Sequence, residues 1–320
     1  MSGDAAQDES FATPAGEAPE AHAQDGAAPR AAKLLTRERE ARPELFAAAR
    51  DKLSSLEAFN VRWARATFSS PRFNALCAWA ERAPGAAWVD VCTRNLRRIH
   101  GIDRLPPLDQ LGNFVLVANH RSYFDLYVVS MILFRHGLTS RILYPVRSNF
   151  FYDSALGWWV NGIMSFWSMY PPIFREKKRA VLNHTALSEV IWALKNTRVA
   201  AGIHPEGTRN KGDDPYSLLP AQSGVGRVIH EARVAVIPVF VNGLTNRFVH
   251  QVISNFTRKG ERVNVVFGSP VDLGDLLSQP ASAKTYRSIA ERVMSAIAGL
   301  GEEERRLRGT EPATTLLPPK

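Results

Sequence analysis

The chain has 320 residues, enough for one large α/β domain with additions or for two modest domains. Its 40 lysines and arginines outnumber 31 acids, a formal charge of +9; residues 1–32 hold six acids and one base, a net of −5, so +14 falls on residues 33–320. So basic a body fits an anionic partner. Without zinc-finger spacing or an aromatic–basic RNA-binding motif, that partner reads as a phospholipid surface and not nucleic acid, and two cysteines, Cys77 and Cys92, exclude a disulfide framework.

In chain order, residues 1–32 are rich in Ala, Pro, Gly, Asp and Glu, with Phe11 as their one aromatic. They cannot bury enough apolar surface to offset their ordering entropy and read as a disordered tail, without the basic-then-apolar pattern of a secretory leader. Residues 33–98 read as amphipathic helix, with Leu45, Ala48, Ala49, Leu53, Leu56 and Phe59 recurring at three and four. Pro71 and Pro84-Gly85 divide that run. Trp63, Trp79 and Trp88 alternate with Arg72, Arg82, Arg94, Arg97 and Arg98. Such a mixture fits a membrane interface, and equally a helical subdomain packed on a sheet.

From residue 99 to 300 short β-branched runs alternate with helical ones. The strands predicted are Phe114–Ala118, residues 141–146, Val199–Ile203, residues 234–241 and Val263–Phe267; the helices fall at residues 126–134, 177–195, 224–231 and 286–298. This is the pattern of an α/β domain whose mostly parallel central sheet is covered by helices. Residues 150–170, with Trp158, Trp159, Met164, Phe166 and Trp167, are too aromatic for a plain surface helix. Asp153, Gly157, Asn161 and Gly162 interrupt them, and no stretch has the apolar length of a spanning helix. Residues 301–320, charged and then rich in Pro and Thr, read as a second disordered tail.

Chemistry concentrates after the first predicted strand, in Asn119-His120-Arg121-Ser122-Tyr123-Phe124-Asp125. A histidine at a strand-to-helix turn acts as a general base when a carboxylate holds its other ring nitrogen, and Asp125 is placed to do so for His120. A second motif, His204-Pro205-Glu206-Gly207-Thr208-Arg209, follows the strand Val199–Ile203. There Gly207 permits a tight turn, and Arg209 offers a planar fork suited to phosphate. His184 with Glu189 repeats the first spacing inside a helical pattern with no strand before it, and reads as helix surface. A metal held by His120 and His204 lacks a ligand cluster of usable spacing, so no metal is expected.

These two motifs, in this order and about eighty residues apart, resemble those of the glycerolipid acyltransferases, whose best-known members are the 1-acylglycerol-3-phosphate acyltransferases. Ile173-Phe174-Arg175, Val236 to Gly243 and Val263 to Pro270 resemble further blocks of the family, so that the likeness runs from Asn95 to Ala298. Two departures stand out. His204 occupies a position where the family usually has a bulky apolar residue, and Pro171-Pro172 precede the Ile-Phe-Arg block.

The resemblance implies a glycerol-3-phosphate acyltransferase-like fold and acyl transfer from an acyl thioester, carried by coenzyme A or acyl carrier protein, to the hydroxyl of a lysophospholipid acceptor. No other cofactor is implied. His120 and Asp125 would be catalytic. Arg175, Glu206, Gly207, Thr208 and Arg209 would bind the acceptor, with Asn119, Arg121 and Ser122 as second-rank candidates. Amides at the turns would stabilise the oxyanion, and residues 150–170 would line the acyl-chain pocket, lie at the interface, or pack in the core. The enzyme would sit peripherally or monotopically on the cytoplasmic face of a membrane. Two rival readings are a non-catalytic membrane scaffold and a thioester hydrolase on the same fold.

Overall fold

A computed structural model describes residues 51–310 apart from Ala180. The expectations for residues 1–32, for the start of the 33–98 segment and for residues 311–320 lie outside the described residues.

The chain enters through helices α1 (Ser55–Ser69), α2 (Pro71–Ala80) and α3 (Ala86–Thr93). A Ser54–Glu57 capping box opens α1: the Glu57 amide donates to Ser54 Oγ at 3.2 Å and the Ser54 amide to Glu57 Oε2 at 2.8 Å. Pro71 takes the first turn of α2, where its missing N–H costs nothing. Pro84 sits in a widened π-type turn, Glu81–Gly85, which carries the helical path through the Pro-Gly pair instead of breaking it. The buried Glu81 carboxylate reaches Arg141, 1% exposed, at 2.7 Å, and Arg141 also donates to the carbonyls of Thr67 and Phe166.

Then follow strands β1 (Arg97–His100) and β2 (Phe114–Ala118), helix α4 (Asp125–Arg135), and strands β3 (Arg141–Leu143) and β4 (Val146–Arg147). Helices α5 (Ser148–Phe151) and α6 (Ala155–Ser165) lead to β5 (Pro172–Ile173), α7 (Val181–Asn196), β6 (Val199–Ile203), α8 (Ser223–Ala232), β7 (Ala235–Asn242), α9 (Phe248–Thr257), β8 (Val263–Phe267), α10 (Gly274–Leu277) and α11 (Ala283–Thr310). The main sheet has the order β1-β8-β7-β2-β6-β3. Its pairs are parallel except β7 with β8. The mostly parallel sheet expected from the alternating pattern is therefore present, and β4 pairs with β5 in a separate two-stranded ribbon.

β2 lies between β6 and β7, and all five of its residues are fully buried. Successive side chains point to opposite faces. Phe114, Leu116 and Ala118 pack with α3 and α4, through Val89, Val128 and Ile132. Val115 and Val117 pack with α7, α8 and α11, through Leu194, Ile229 and Val293. A strand covered on both faces has no polar position to offer, which is why it reads as an unbroken apolar run. Gly226 allows α8 to press against α11: a Cβ there would come within 1.8 Å of the Tyr286 carbonyl oxygen.

Two boundaries differ from the sequence reading. β1 straddles the expected break between residues 98 and 99; its sequence, Arg-Arg-Ile-His, has no apolar run because it is an edge strand paired only with β8. The expected tail from residue 301 is instead the last turns of α11, as far as Thr310. Glu304 anchors them. It is fully buried and accepts from Tyr216 Oη, Asn242 Nδ2, Asn264 Nδ2 and Arg308 Nε at 2.7–3.2 Å.

Other expectations held. His184 is an exposed helix residue, and Cys77 and Cys92 are free. Trp63 sits among Phe73, Trp158 and Trp167, so the aromatics of the first helices pack against those of residues 150–170, whereas Trp79 is 58% exposed.

Candidate active site

The two motifs meet because β2 and β6 are parallel neighbours. Val117 pairs with Ile203, so both strands release their next residues at the same end of the sheet. His120 and His204 emerge there side by side, at the edge where open α/β sheets collect ligands. On the other side of β2, Asn119 extends the ladder with its side chain. Its Nδ2 donates to the Val241 carbonyl at 2.9 Å and its Oδ1 accepts from the Val241 amide at 2.8 Å. Asn119 is thus fully buried and structural.

Asp125 opens α4 from within. Its Oδ2 accepts from the amides of Arg121 (2.8 Å) and Ser122 (2.7 Å) and lies 3.3 Å from His120 Nδ1. The turn folds back on itself, the condition for Asp125 to reach His120. With Nδ1 turned to the carboxylate, Nε2 of His120 is the nitrogen left to accept a proton. Burial pushes His120 down to about 4, helped by the charges of Arg209 and Arg175. Burial also pushes the Asp125 carboxyl up to about 6, against the pull of His204 and of the Ser122 and Arg121 amides.

His204, the departure from the family pattern, stacks on His120 with ring centroids 3.8 Å apart and planes 8° from parallel. Its Nδ1 lies 3.0 Å from the Ala118 carbonyl, an acceptor that requires the proton on Nδ1. Burial, then the neighbouring His120, pushes it down to about 3. Ligand atoms of His120, Asp125 and His204 come within 4.8 Å of one another. Yet an ion bonded in the plane of one ring at about 2.0 Å would lie well out of the plane of the other. The rings form a stacked pair and not a ligand set.

Glu206 is placed differently from its expected role at the acceptor. It is 2% exposed, and its Oε1 accepts from the His120 amide while Oε2 accepts from the Leu219 amide, each at 2.8 Å. The Asn210 amide donates to the His120 carbonyl at 2.8 Å. Glu206 therefore clasps the His120 turn to the following loop, and the amides of His120, Arg121 and Ser122, in one of the turns whose amides were expected to stabilise the oxyanion, are all engaged by carboxylates. Gly207 turns with φ +66, and its carbonyl accepts from Arg175 at 2.9 Å. Thr208 and Arg175 are exposed.

Arg209 lies with its guanidinium carbon 3.7 Å over the centre of the Tyr123 ring and donates to Tyr123 Oη at 2.8 Å. Arg121 donates to the Gly212 carbonyl at 2.7 Å. Arg121, Arg209 and Lys211 share an open cleft with Asn210, Leu244, Thr245 and Asn246. Asn246 and Tyr123 were not foreseen. Asn246 accepts from the Tyr123 amide at 3.0 Å and donates to the Arg121 carbonyl at 3.3 Å, which fixes the outer side of the His120 turn. Tyr123 stood within the first motif, so its identity was available; Asn246 carried no local signal.

Residues 96–242, the stretch that builds this arrangement, match the family model described as Acyltransferase. Over this stretch the chain is similar to the acyltransferases. A similar protein is the 1-acyl-sn-glycerol-3-phosphate acyltransferase of Escherichia coli (strain K12), 24% identical over 139 residues that cover 43% of this chain and 51% of that protein. The 1-acyl-sn-glycerol-3-phosphate acyltransferase alpha of Mus musculus is 27% identical over 193 residues, 59% of this chain and 60% of that protein. The chain thus matches between half and three fifths of the length of these relatives. Among solved structures, the 1-acyl-sn-glycerophosphate acyltransferase PlsC of Thermotoga maritima is similar at 18% identity and a TM-score of 0.45, over 86% of this chain and 98% of that one.

Proposed function

We propose that this acyltransferase domain moves a fatty acyl group from an acyl thioester to the free hydroxyl of a lysophospholipid, with 1-acylglycerol-3-phosphate as the acceptor its phosphate-suited arginines fit best. The observation that carries the reading is the placement of His120, held by Asp125 at 3.3 Å, beside a turn bearing Arg209 and reached by Arg175. His120 Nε2 takes the hydroxyl proton, the alkoxide attacks the thioester carbonyl, and collapse of the tetrahedral intermediate expels the thiolate. Asp125 holds the imidazolium that forms.

Arg209 and Arg175 bind the acceptor phosphate as charge-assisted donors. With the His120, Arg121 and Ser122 amides engaged, those of Thr208 and Arg209 are the oxyanion donors of this reading. The reading places the acyl chain along residues 150–170, whose Met164 and Phe166 border a small cavity with Val89, Tyr127, Met131 and Phe134. The thioester, on coenzyme A or acyl carrier protein, is a co-substrate, and the chemistry needs no resident metal. Among the described residues no helix is long and apolar enough to cross a membrane; the proposed location is peripheral or monotopic, on the cytoplasmic face.

The test is thiol release from a long-chain acyl-CoA in detergent, with and without lysophosphatidate, for the wild type and His120→Ala. Acceptor-dependent release that falls by several orders of magnitude in the variant supports the reading. Release without acceptor makes the protein a hydrolase. A variant that retains more than about a tenth of the activity overturns the role of His120.

A further inference from the structure

Helix α9, Phe248–Thr257, follows the residues that match the family, and its polarity is inverted. Its buried positions are polar: Gln251, Ser254 and Asn255. Asn255 donates to the Val91 carbonyl at 2.9 Å and accepts from the Asn95 amide at 2.9 Å, and Gln251 accepts from the Thr245 amide at 3.1 Å. Hydrogen bonds therefore fix its inner face to the end of α3. Its apolar side chains point outward, with Val249 67%, Ile253 56% and Phe256 55% exposed, the spacing of one helix face.

Ordinary amphipathic helices spend their apolar stripe on the core; this one presents it outward, and such patches mark an interaction surface. Cations stand at both ends. Arg247 precedes the helix and Arg258-Lys259 follow it, all exposed, and none makes an ion pair among the described residues. An apolar stripe between basic ends fits an anionic lipid surface, where apolar side chains enter the acyl boundary and cations meet the headgroups. A second copy fits poorly, since two such helices packed across a twofold axis would bring like charges together.

The position of α9 adds a second reason. Phe248 packs against Phe124 at 5.7 Å and Trp88 at 6.1 Å between centroids, and Asn246, just before the helix, holds the His120 turn. Leu244, Thr245 and Asn246 also line the cleft of Arg121, Arg209 and Lys211. A bilayer under α9 would lie at the rim of the cleft to which an anionic headgroup is delivered.

We infer that the outer face of α9, through Val249, Ile253 and Phe256 with Arg247, Arg258 and Lys259, docks the protein on anionic phospholipid. The inference takes the membrane partner of the proposed function and assigns it a face. Its test measures vesicle binding and not turnover, so the failure of either leaves the other standing.

Full-length protein is sedimented with phosphatidylcholine vesicles that contain or lack phosphatidylglycerol. In the variant Val249→Ser/Ile253→Ser/Phe256→Ser, partitioning should fall about a hundredfold on anionic vesicles. A second variant, Arg247→Gln/Arg258→Gln/Lys259→Gln, should lose about tenfold or more on anionic vesicles and little on neutral ones. An unchanged circular-dichroism melt shows that the losses are not unfolding. Binding within about twofold of wild type in both variants overturns the inference. So does retention in both with loss in Trp159→Ser/Ile163→Ser, which empties the exposed stripe of α6. A dimer that the serine variant dissolves while vesicle binding persists would make α9 a self-association face and overturn it too.

Discussion

His204 lies flat on His120, and its Nδ1–H is committed to the carbonyl of Ala118. An apolar aromatic in its place would keep the stack but could not titrate. His204 is pushed from its ordinary value near 6.5 to about 3 by burial and by His120. The sign follows from linkage: below about 6.5 the unfolded chain takes up a proton that the folded chain refuses until about 3, so this group's share of stability is intact above 6.5 and lost as pH falls through that window. His204→Phe removes the loss. The drop in Tm between about pH 7 and about pH 4.5 should shrink by about 5 °C. At neutral pH the variant should be less stable by about 1 kcal/mol, because the Ala118 carbonyl loses its donor.

The acidic limb of activity should belong to the His120–Asp125 pair as a unit. One proton added to the pair removes the base, so kcat/KM should decline as pH falls from about 6 towards about 4, in place of the ordinary histidine limb. Asp125→Asn keeps the shape but not the charge that holds the imidazolium. Its kcat should fall by two to four orders of magnitude, with KM little changed. Initial rates across the pH range check both.

Glu206→Gln tests the clasp. A carboxylate accepts both the His120 and Leu219 amides; a carboxamide turns an N–H towards one of them. The expected cost is roughly 1–3 kcal/mol in urea unfolding, with reduced kcat and an almost unaltered acceptor KM. A large rise in acceptor KM instead would return Glu206 to the binding site.

Arg209 and Tyr123 should couple in binding. Tyr123→Phe keeps the ring under the guanidinium and loses one hydrogen bond, so acceptor KM should rise by about fivefold or less; Tyr123→Ala should cost about tenfold. Arg209→Ala should cost about a hundredfold in kcat/KM for a phosphate-bearing acceptor, with little rescue by Arg209→Lys, which lacks the planar fork.

Away from the site, the buried Glu81–Arg141 pair joins the first helices to β3. Arg141→Met strands the Glu81 carboxylate and should cost about 3–5 kcal/mol, whereas Arg141→Met/Glu81→Leu should recover most of that loss. Denaturant midpoints of the three proteins decide it.

What could be read from sequence follows the physics of each part. β2 and β6 announced themselves because strands buried on both faces tolerate only apolar residues, and His120 and Asp125 because their chemistry is local to one turn. β1 was hidden because an edge strand can be Arg-Arg-Ile-His. The end of α11 was hidden because a charged sequence reads as solvated, although Glu304 there is fully buried among four donors. α9 was hidden because its inverted faces carry their meaning only when the inner one is seen. Glu206 matched its motif, yet the two amides that occupy it come from residues far apart in the chain.

The central place of β2 also bears on how the chain is made. Its neighbours β6 and β7 are encoded well downstream, Ala118 pairing with Val239 about 120 residues later. At about 5–20 residues per second, a ribosome would hold Phe-Val-Leu-Val-Ala without that partner for roughly 6–24 s. Such an uncharged segment is prone to pair with the wrong strand. Nascent chains should therefore depend on a chaperone through that interval, and cell-free synthesis without one should favour aggregates over soluble protein.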